Sequence, residues 1–375
     1  MYGDDDHTYR DALVDGLAHR RGAGLNPGNR FEDVRLHVLG EELDRRLVER
    51  EEGDGSLRRV ERQVFADQTR KIINRVSRTA DVPFDWTLNP YRGCEHGCIY
   101  CFARPYHEYL GFSCGLDFET KLVAKLEAPA LLERELAAPS WKPAPIVMSA
   151  ITDIYQPIEH EMRIARQCLE VLASCGQPVS TMTKSALVLR DTDLWSKLAG
   201  MNAGRVTVTL VTLDAELARK LEPRATSPVG RLRTIRELAE AGVPVSVNIA
   251  PIIPGLTDAE LPRILEAVAD AGARQAAWVV LRLPYQLKEV FAEWLARSVH
   301  PDRARKVESH IRQAYGGKLY DASPRGRRGR GDLVEQLAKV FDVFTRKYGL
   351  NRNIKPLSTA HFRRPDVSGQ MGLFS

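Results

Sequence analysis

The sequence predicts an α/β fold: a partial (β/α)6 barrel with an N-terminal extension and a C-terminal helical appendix. From Trp86 onward, short apolar runs alternate with amphipathic helical stretches, which is the texture of βα units around a parallel sheet. Six such runs occur, and a chain of 375 residues with 43% hydrophobic content has room for a barrel plus extensions.

The expected strands are 86–89, 145–149, 179–183, 205–211, 244–250 and 276–281, with helices at 161–173, 187–199, 230–241 and 259–269 between them. Within 163–172, Ile164, Cys168 and Val171 share one face, so Cys168 reads as a core residue, as does Cys175. After Leu283-Pro284 the pattern turns helical through 287–296, 304–314 and 333–348. The expected organisation is an extension over 1–60, partly disordered, a barrel core over 61–284, a helical region over 285–350 and a basic tail over 351–375. No internal repeat is evident.

Charge narrows the partners only slightly. A net charge of +5 is mildly basic, and two readings of its distribution stand. Arg325, Arg327, Arg328 and Arg330, interleaved with Gly326, Gly329 and Gly331, form either a solvated loop or a phosphate-binding loop. Arg352, Lys355, Arg363 and Arg364 make the tail basic. The start, Asp4-Asp5-Asp6, lacks an apolar leader and no run is long enough to cross a bilayer, so a cytoplasmic location is expected.

Cys94, Cys98 and Cys101 carry the chemistry. Six cysteines in the whole chain, three of them at C-x3-C-x2-C spacing, suit metal ligation better than a disulfide framework. Three thiolates around a [4Fe-4S] cube leave one iron open, and an open site is what lets a metal centre bind and activate a reactant. The reactant expected is S-adenosylmethionine, whose amino and carboxylate groups can chelate that iron. Gly93 and Gly97 let the loop bend around the cube, and Tyr100 can cover it. The alternative is structural zinc with His96 or His107 as fourth ligand. Cys114 reads as a free loop thiol.

The segment from Asn89 to Pro105, NPYRGCEHGCIYCFARP, resembles the radical S-adenosylmethionine superfamily, and within it the subgroup called DNA repair photolyase, related to spore photoproduct lyase. The likeness continues through Gly115-Leu-Asp-Phe-Glu-Thr120, Thr152-Asp-Ile-Tyr-Gln-Pro-Ile-Glu159, Thr183-Lys184, Glu222-Pro223, Ala250-Pro-Ile-Ile-Pro-Gly255 and Leu281-Arg-Leu-Pro284. It also covers Arg21 to Phe31, RGAGLNPGNRF.

The resemblance implies a radical SAM barrel whose cluster splits the cofactor into methionine and a 5′-deoxyadenosyl radical. It places Thr152, Asp153 and Glu159 on the cofactor's amino group, Lys184 on its carboxylate, Thr209 on the ribose and Arg231 on a carboxylate or phosphate. It also marks two departures. Ser149-Ala150-Ile151-Thr152 holds no hydrogen-donating thiol, and Phe102 stands where spore photoproduct lyase has a relay tyrosine. A hydrogen relay would then draw on Tyr100, Tyr155, Tyr106 or Cys114.

The chain closes with Gln370-Met371-Gly372-Leu373-Phe374-Ser375, similar to the peptide by which repair proteins bind the DNA sliding clamp. Gln370, Met371, Leu373 and Phe374 would fill the groove; the bland reading docks Leu373 and Phe374 on the protein itself. The function expected is a radical enzyme acting on nucleic acid, in DNA repair or base modification, reduced by a donor such as flavodoxin or ferredoxin. The alternatives are a radical enzyme acting on a peptide, tRNA or small molecule, and a non-enzymatic DNA- or clamp-binding factor with a structural metal.

Overall fold

The computed structural model describes residues 20–31, 61–77, 82–323 and 328–366. The arginine loop, apart from Arg328 and Arg330, and the terminal clamp-like motif lie outside these residues.

Ten strands follow in chain order: β1 (Gln63–Ala66), β2 (Ile73–Arg75), β3 (Trp86–Leu88), β4 (Tyr91–Arg92), β5 (Lys121–Ala124), β6 (Ile146–Met148), β7 (Val179–Thr183), β8 (Gly204–Thr209), β9 (Val245–Ile252) and β10 (Gln275–Val280). The main sheet runs β10-β9-β8-β7-β6-β3-β2, parallel throughout except for β2, which pairs antiparallel to β3. Its six parallel strands are the six expected βα units, in sequential order. Among the described residues β10 does not pair with β2, so the barrel is open.

Local chemistry accounts for these elements. In β7, Val179, Thr181 and Thr183 are buried while Ser180 and Met182 alternate outward, the period of a strand built from branched residues. The helix Leu261–Asp270 buries Leu261, Ile264, Leu265 and Val268, the spacing of one helical face, each burial stabilising by about 1.5–3 kcal/mol. Ser227 caps the helix Pro228–Glu240 by accepting from the Gly230 N–H.

Two expected helices are broken in ways that matter for the site. The stretch 161–173 splits into Glu159–Met162 and Ile164–Ser174, separated by Arg163 at φ 53°. The restart exposes two amide donors, and the Glu159 carboxylate turns back to accept from both Ala165 and Arg166. The stretch 187–199 opens with a 3-10 turn, Ala186–Asp191, before the helix Thr192–Gly200.

A second, small sheet, β1-β5-β4, has no counterpart in the sequence reading. Its strand Gln63–Ala66 is exposed along its whole length, so no burial alternation betrays it.

The last described segment straps the floor of the barrel. Asn351 bonds the backbone of Ala276 at the start of β10, and Arg205 at the start of β8 donates to the Lys355 carbonyl. Ser358 N–H donates to Asn202, Arg363 N–H to Cys175, and Arg364 reaches the carbonyls of Leu136 and Trp141. Among the described residues, no helix is long and apolar enough to cross a membrane.

Candidate active site

The loop after β3 carries the three cysteines. Gly93 and Gly97 sit at φ 76° and 66°, a conformation that glycine takes without strain. A Cβ on Gly97 would stand 2.7 Å from Glu119 Oε2, so the loop approaches its neighbours too closely for any side chain there. Cys94 N–H donates to the Phe118 carbonyl and Ile99 N–H to that of Leu221, fixing both ends of the loop.

Beneath the loop lies a buried ion pair. Arg104, 0% exposed, donates to the Cys98 carbonyl at 2.9 Å, to the Gly115 carbonyl at 2.8 Å and to Glu119 Oε1 at 2.5 Å. Glu119 in turn accepts from the N–H groups of Gly22 and Ala23. Part of the expected extension is therefore built into the site: Gly22, whose added Cβ would lie 2.0 Å from the Gly97 carbonyl oxygen, braces the cysteine loop from outside.

All three cysteines are free thiols, with Cys94 and Cys98 buried and Cys101 half-buried. Burial pushes the Cys98 thiol up to about 12, against the opposing pull of Lys184. Burial likewise raises Cys94, with the Asp153 carboxylate adding to it. Such thiols give up their protons only to a strongly cationic partner, which an iron–sulfur cube supplies. Among the described residues, no group of three or more His, Cys, Asp and Glu is arranged to hold a single metal ion. His96 is turned toward Asp153, with Nδ1 3.2 Å from Oδ2, and His107 lodges against the rings of Phe112 and Phe118. His96 is thereby committed to a carboxylate.

A cationic wall lies on the Cys98 side. Tyr100 donates its hydroxyl to Glu222, whose other oxygen pairs with Arg231. Burial raises the Glu222 carboxyl, but Arg231 and Lys184 outweigh it and hold it below its ordinary value. Lys184, just past the end of β7, places Nζ 5.8 Å from the Tyr100 ring centroid. Among the described residues its ammonium has no hydrogen bond or ion pair. Burial lowers the Lys184 ammonium, but Cys98 and Glu222 more than reverse this and leave it raised.

Asp153, after β6, accepts from the Lys184 N–H at 2.8 Å, from Thr183 Oγ1 and from the Tyr155 N–H. Thr152 donates to the Gly93 carbonyl at 2.7 Å and so ties the same turn to the cysteine loop. Thr209, at the end of β8, gives its carbonyl to Arg231.

A model of the radical SAM superfamily matches residues 88–268. The chain belongs to the radical SAM superfamily. Radical SAM proteins use a [4Fe-4S] cluster and S-adenosylmethionine. Uncharacterised proteins of Mycobacterium tuberculosis and Mycobacterium bovis are 38% identical over 248 residues, 66% of this chain and 72% of theirs. An uncharacterised protein of Methanocaldococcus jannaschii is 30% identical over 175 residues, 47% of this chain and 63% of that one. Among solved structures, spore photoproduct lyase complexed with dinucleoside spore photoproduct superposes with a TM-score of 0.56 at 15% identity, covering 76% of this chain and 80% of that one. At that identity the likeness shows the radical SAM barrel fold alone.

Against this frame of a radical SAM barrel, some expected site residues belong to other structures. Glu159 has four donors on its carboxylate: Tyr91 at 2.6 Å, Arg190 at 2.7 Å, and the amides of Ala165 and Arg166. Its lone pairs are committed to a helix start and an ion pair, which corrects the expected contact with the cofactor's amino group. Arg231 spends its guanidinium on Glu222, the Thr226 carbonyl and the Thr209 carbonyl, and at 1% exposure it braces rather than binds. Tyr155 is buried with its hydroxyl accepting from Trp195 Nε1 at 2.9 Å. Cys114 is buried too, its carbonyl accepting from Arg104.

Glu222, Glu119 and Arg104 are the site residues that sequence reasoning did not single out, and His96 stands there only as a candidate zinc ligand. Glu222-Pro223 was visible as a shared segment, but its partners stand far away along the chain, so spacing carries no signal of its role.

Proposed function

We propose that Cys94, Cys98 and Cys101 hold the [4Fe-4S] cluster and that this enzyme cleaves S-adenosylmethionine reductively to act on nucleic acid. When bound, the cluster supplies the electron that breaks the cofactor's carbon–sulfur bond. The observation that carries the reading is Lys184, whose ammonium makes no hydrogen bond or ion pair among the described residues and is held near Cys98 and Glu222 and over Tyr100 at the mouth of the barrel. A half-buried cation in that position fits a carboxylate brought in by a ligand.

The other residues prepare that pocket. Asp153 fixes the backbone of Lys184 and pairs with His96, so the ends of β6 and β7 and the cysteine loop form one unit. Glu222 and Arg231 hold Tyr100 over the Cys98 side, excluding water. Thr152 steadies Gly93, and Thr209, at the end of β8, is the residue assigned to the ribose.

A nucleic-acid substrate is supported by the fold shared with spore photoproduct lyase, solved in complex with a dinucleoside spore photoproduct. The hydrogen relay starts from Tyr106, half exposed in the pocket beside the loop, since the Tyr100 and Tyr155 hydroxyls are hydrogen-bonded to Glu222 and Trp195 and Cys114 is buried in the core. The tail motif of Gln370, Met371, Leu373 and Phe374 adds a sliding clamp as partner, and flavodoxin or ferredoxin fits as donor.

The test compares two anaerobically reconstituted variants. Cys98→Ala should lose iron and 5′-deoxyadenosine formation together. Lys184→Ala should keep its iron yet bind S-adenosylmethionine about ten-fold or more weakly, the loss expected for one charge-assisted contact. Unchanged cofactor affinity in Lys184→Ala would overturn the assignment, and cofactor cleavage indifferent to DNA and RNA would overturn the substrate class.

A further inference from the structure

Four aromatic rings stand out of the surface near the cysteine loop. Phe31, Tyr106, Tyr109 and Tyr285 are each 51–63% exposed. They are not scattered. Tyr109 lies 4.8 Å from Phe31 and 6.3 Å from Tyr106, between ring centroids. The guanidinium of Arg30 joins them, 3.8 Å from the Tyr285 centroid, 4.7 Å from Phe31 and 5.5 Å from Tyr109. Glu108, buried beneath, holds Arg30 in place at 2.9 Å. Three distant parts of the chain therefore converge on one layered patch: the segment before Phe31, the turn Arg104–Leu110 after the last cysteine, and the residue that follows Pro284 beyond the end of β10.

Isolated exposed aromatics need no explanation, but a contiguous set interleaved with arginine does. Packing alone would have buried these rings, and Tyr285 even sits at φ 52°, a backbone region that bulky side chains avoid. The platform also leads somewhere. Tyr106 and Tyr109 form the rim of a pocket whose inner wall is Arg92, Phe118, Ile151 and His107. His107 is 2% exposed, and its Nε2 has no hydrogen-bond partner among the described residues. Arg92 and the adjoining Gly93 belong to the run that enters the cysteine loop, so this pocket lies next to the proposed cluster.

Layered rings, a guanidinium and an unfilled polar edge inside a pocket match the two surfaces of a nucleobase, its π face and its hydrogen-bonding edge. A base in duplex cannot offer its face, so the ligand has to be unstacked. We propose that the Tyr109–Tyr285 platform receives an unstacked nucleobase, from a single strand or extruded from a duplex, and delivers it beside the cysteine loop. The inference rests on the nucleic-acid reading above and adds where the base is held.

The test uses the full chain, anaerobically reconstituted, with a single-stranded oligothymidine carrying one 2-aminopurine and with the same strand in duplex. The wild type should quench 2-aminopurine fluorescence and bind the single strand more tightly than the duplex. Tyr109→Ala with Tyr285→Ala should weaken single-strand binding about ten-fold, as loss of stacked rings does, while Tyr109→Phe with Tyr285→Phe stays within about two-fold of wild type. The salt dependence of binding should keep its slope, because no phosphate contact is removed. Should the alanine pair fail to fold, Tyr109→Ala alone, at a ring 63% exposed, gives the same comparison. Alanine variants that bind and quench like wild type would overturn the platform. A wild type that binds neither strand form would instead overturn the nucleic-acid reading itself, so the two failures are distinguishable.

Discussion

Tyr100 donates its hydroxyl to Glu222, and through that one bond the residue between Cys98 and Cys101 is tied to the buried guanidinium of Arg231. Removing the carboxylate leaves Arg231 charged and without its anion in the interior. Glu222→Ala should therefore cost about 3–5 kcal/mol, whereas Tyr100→Phe, which leaves one carboxylate oxygen short of a donor, should cost about 1–3 kcal/mol. Urea denaturation under anaerobic conditions reads both. Equal losses for the two variants would contradict the linkage.

The contact of Gly22 with the Gly97 carbonyl predicts that a single methyl group far from the cysteines in sequence reaches the site. Gly22→Ala should displace the segment 20–31 and speed bleaching of the reconstituted cluster in air, while Gly28→Ala, where a Cβ meets nothing within 4 Å, should not. Absorbance decay at fixed oxygen compares them. Indistinguishable decay would separate the segment from the site.

Stability should fall with acidity through His107. Burial pushes its imidazole down to about 4, outweighing the pull of Asp117 and the backbone carbonyls around it. Because the folded value lies below the ordinary one near 6.5, the unfolded chain takes up a proton first as pH drops. The stabilisation is complete above about 6.5 and is lost as pH falls toward about 4. Between pH 7.5 and 5 this amounts to about 2 kcal/mol, which His107→Phe should remove from the pH dependence. Parallel stability profiles for wild type and variant would refute the effect.

The barrel was legible because its strands repeat a local signal. Branched residues alternating in and out at Val179–Thr183, and apolar residues at helical spacing in Leu261–Asp270, declare themselves within a few positions. The cysteine spacing is equally local. The bracing of the site is not: Glu119 meets Gly22 and Ala23 across 97 and 96 residues, and Tyr100 meets Glu222 across 122. Glu159 shows the opposite error. It stands in a segment rich in site residues, yet the left-handed turn at Arg163 starts a new helix whose free amides claim its carboxylate.

The central claim is that three thiols in one glycine-bent loop hold an iron–sulfur cube with a corner left for a ligand. Electron paramagnetic resonance of the reduced, reconstituted protein tests it most directly. The account predicts a [4Fe-4S] signal that changes on adding S-adenosylmethionine and is absent from Cys98→Ala. A reduced cluster whose signal stays the same with the ligand present, or a protein that takes up zinc in place of iron, would contradict it.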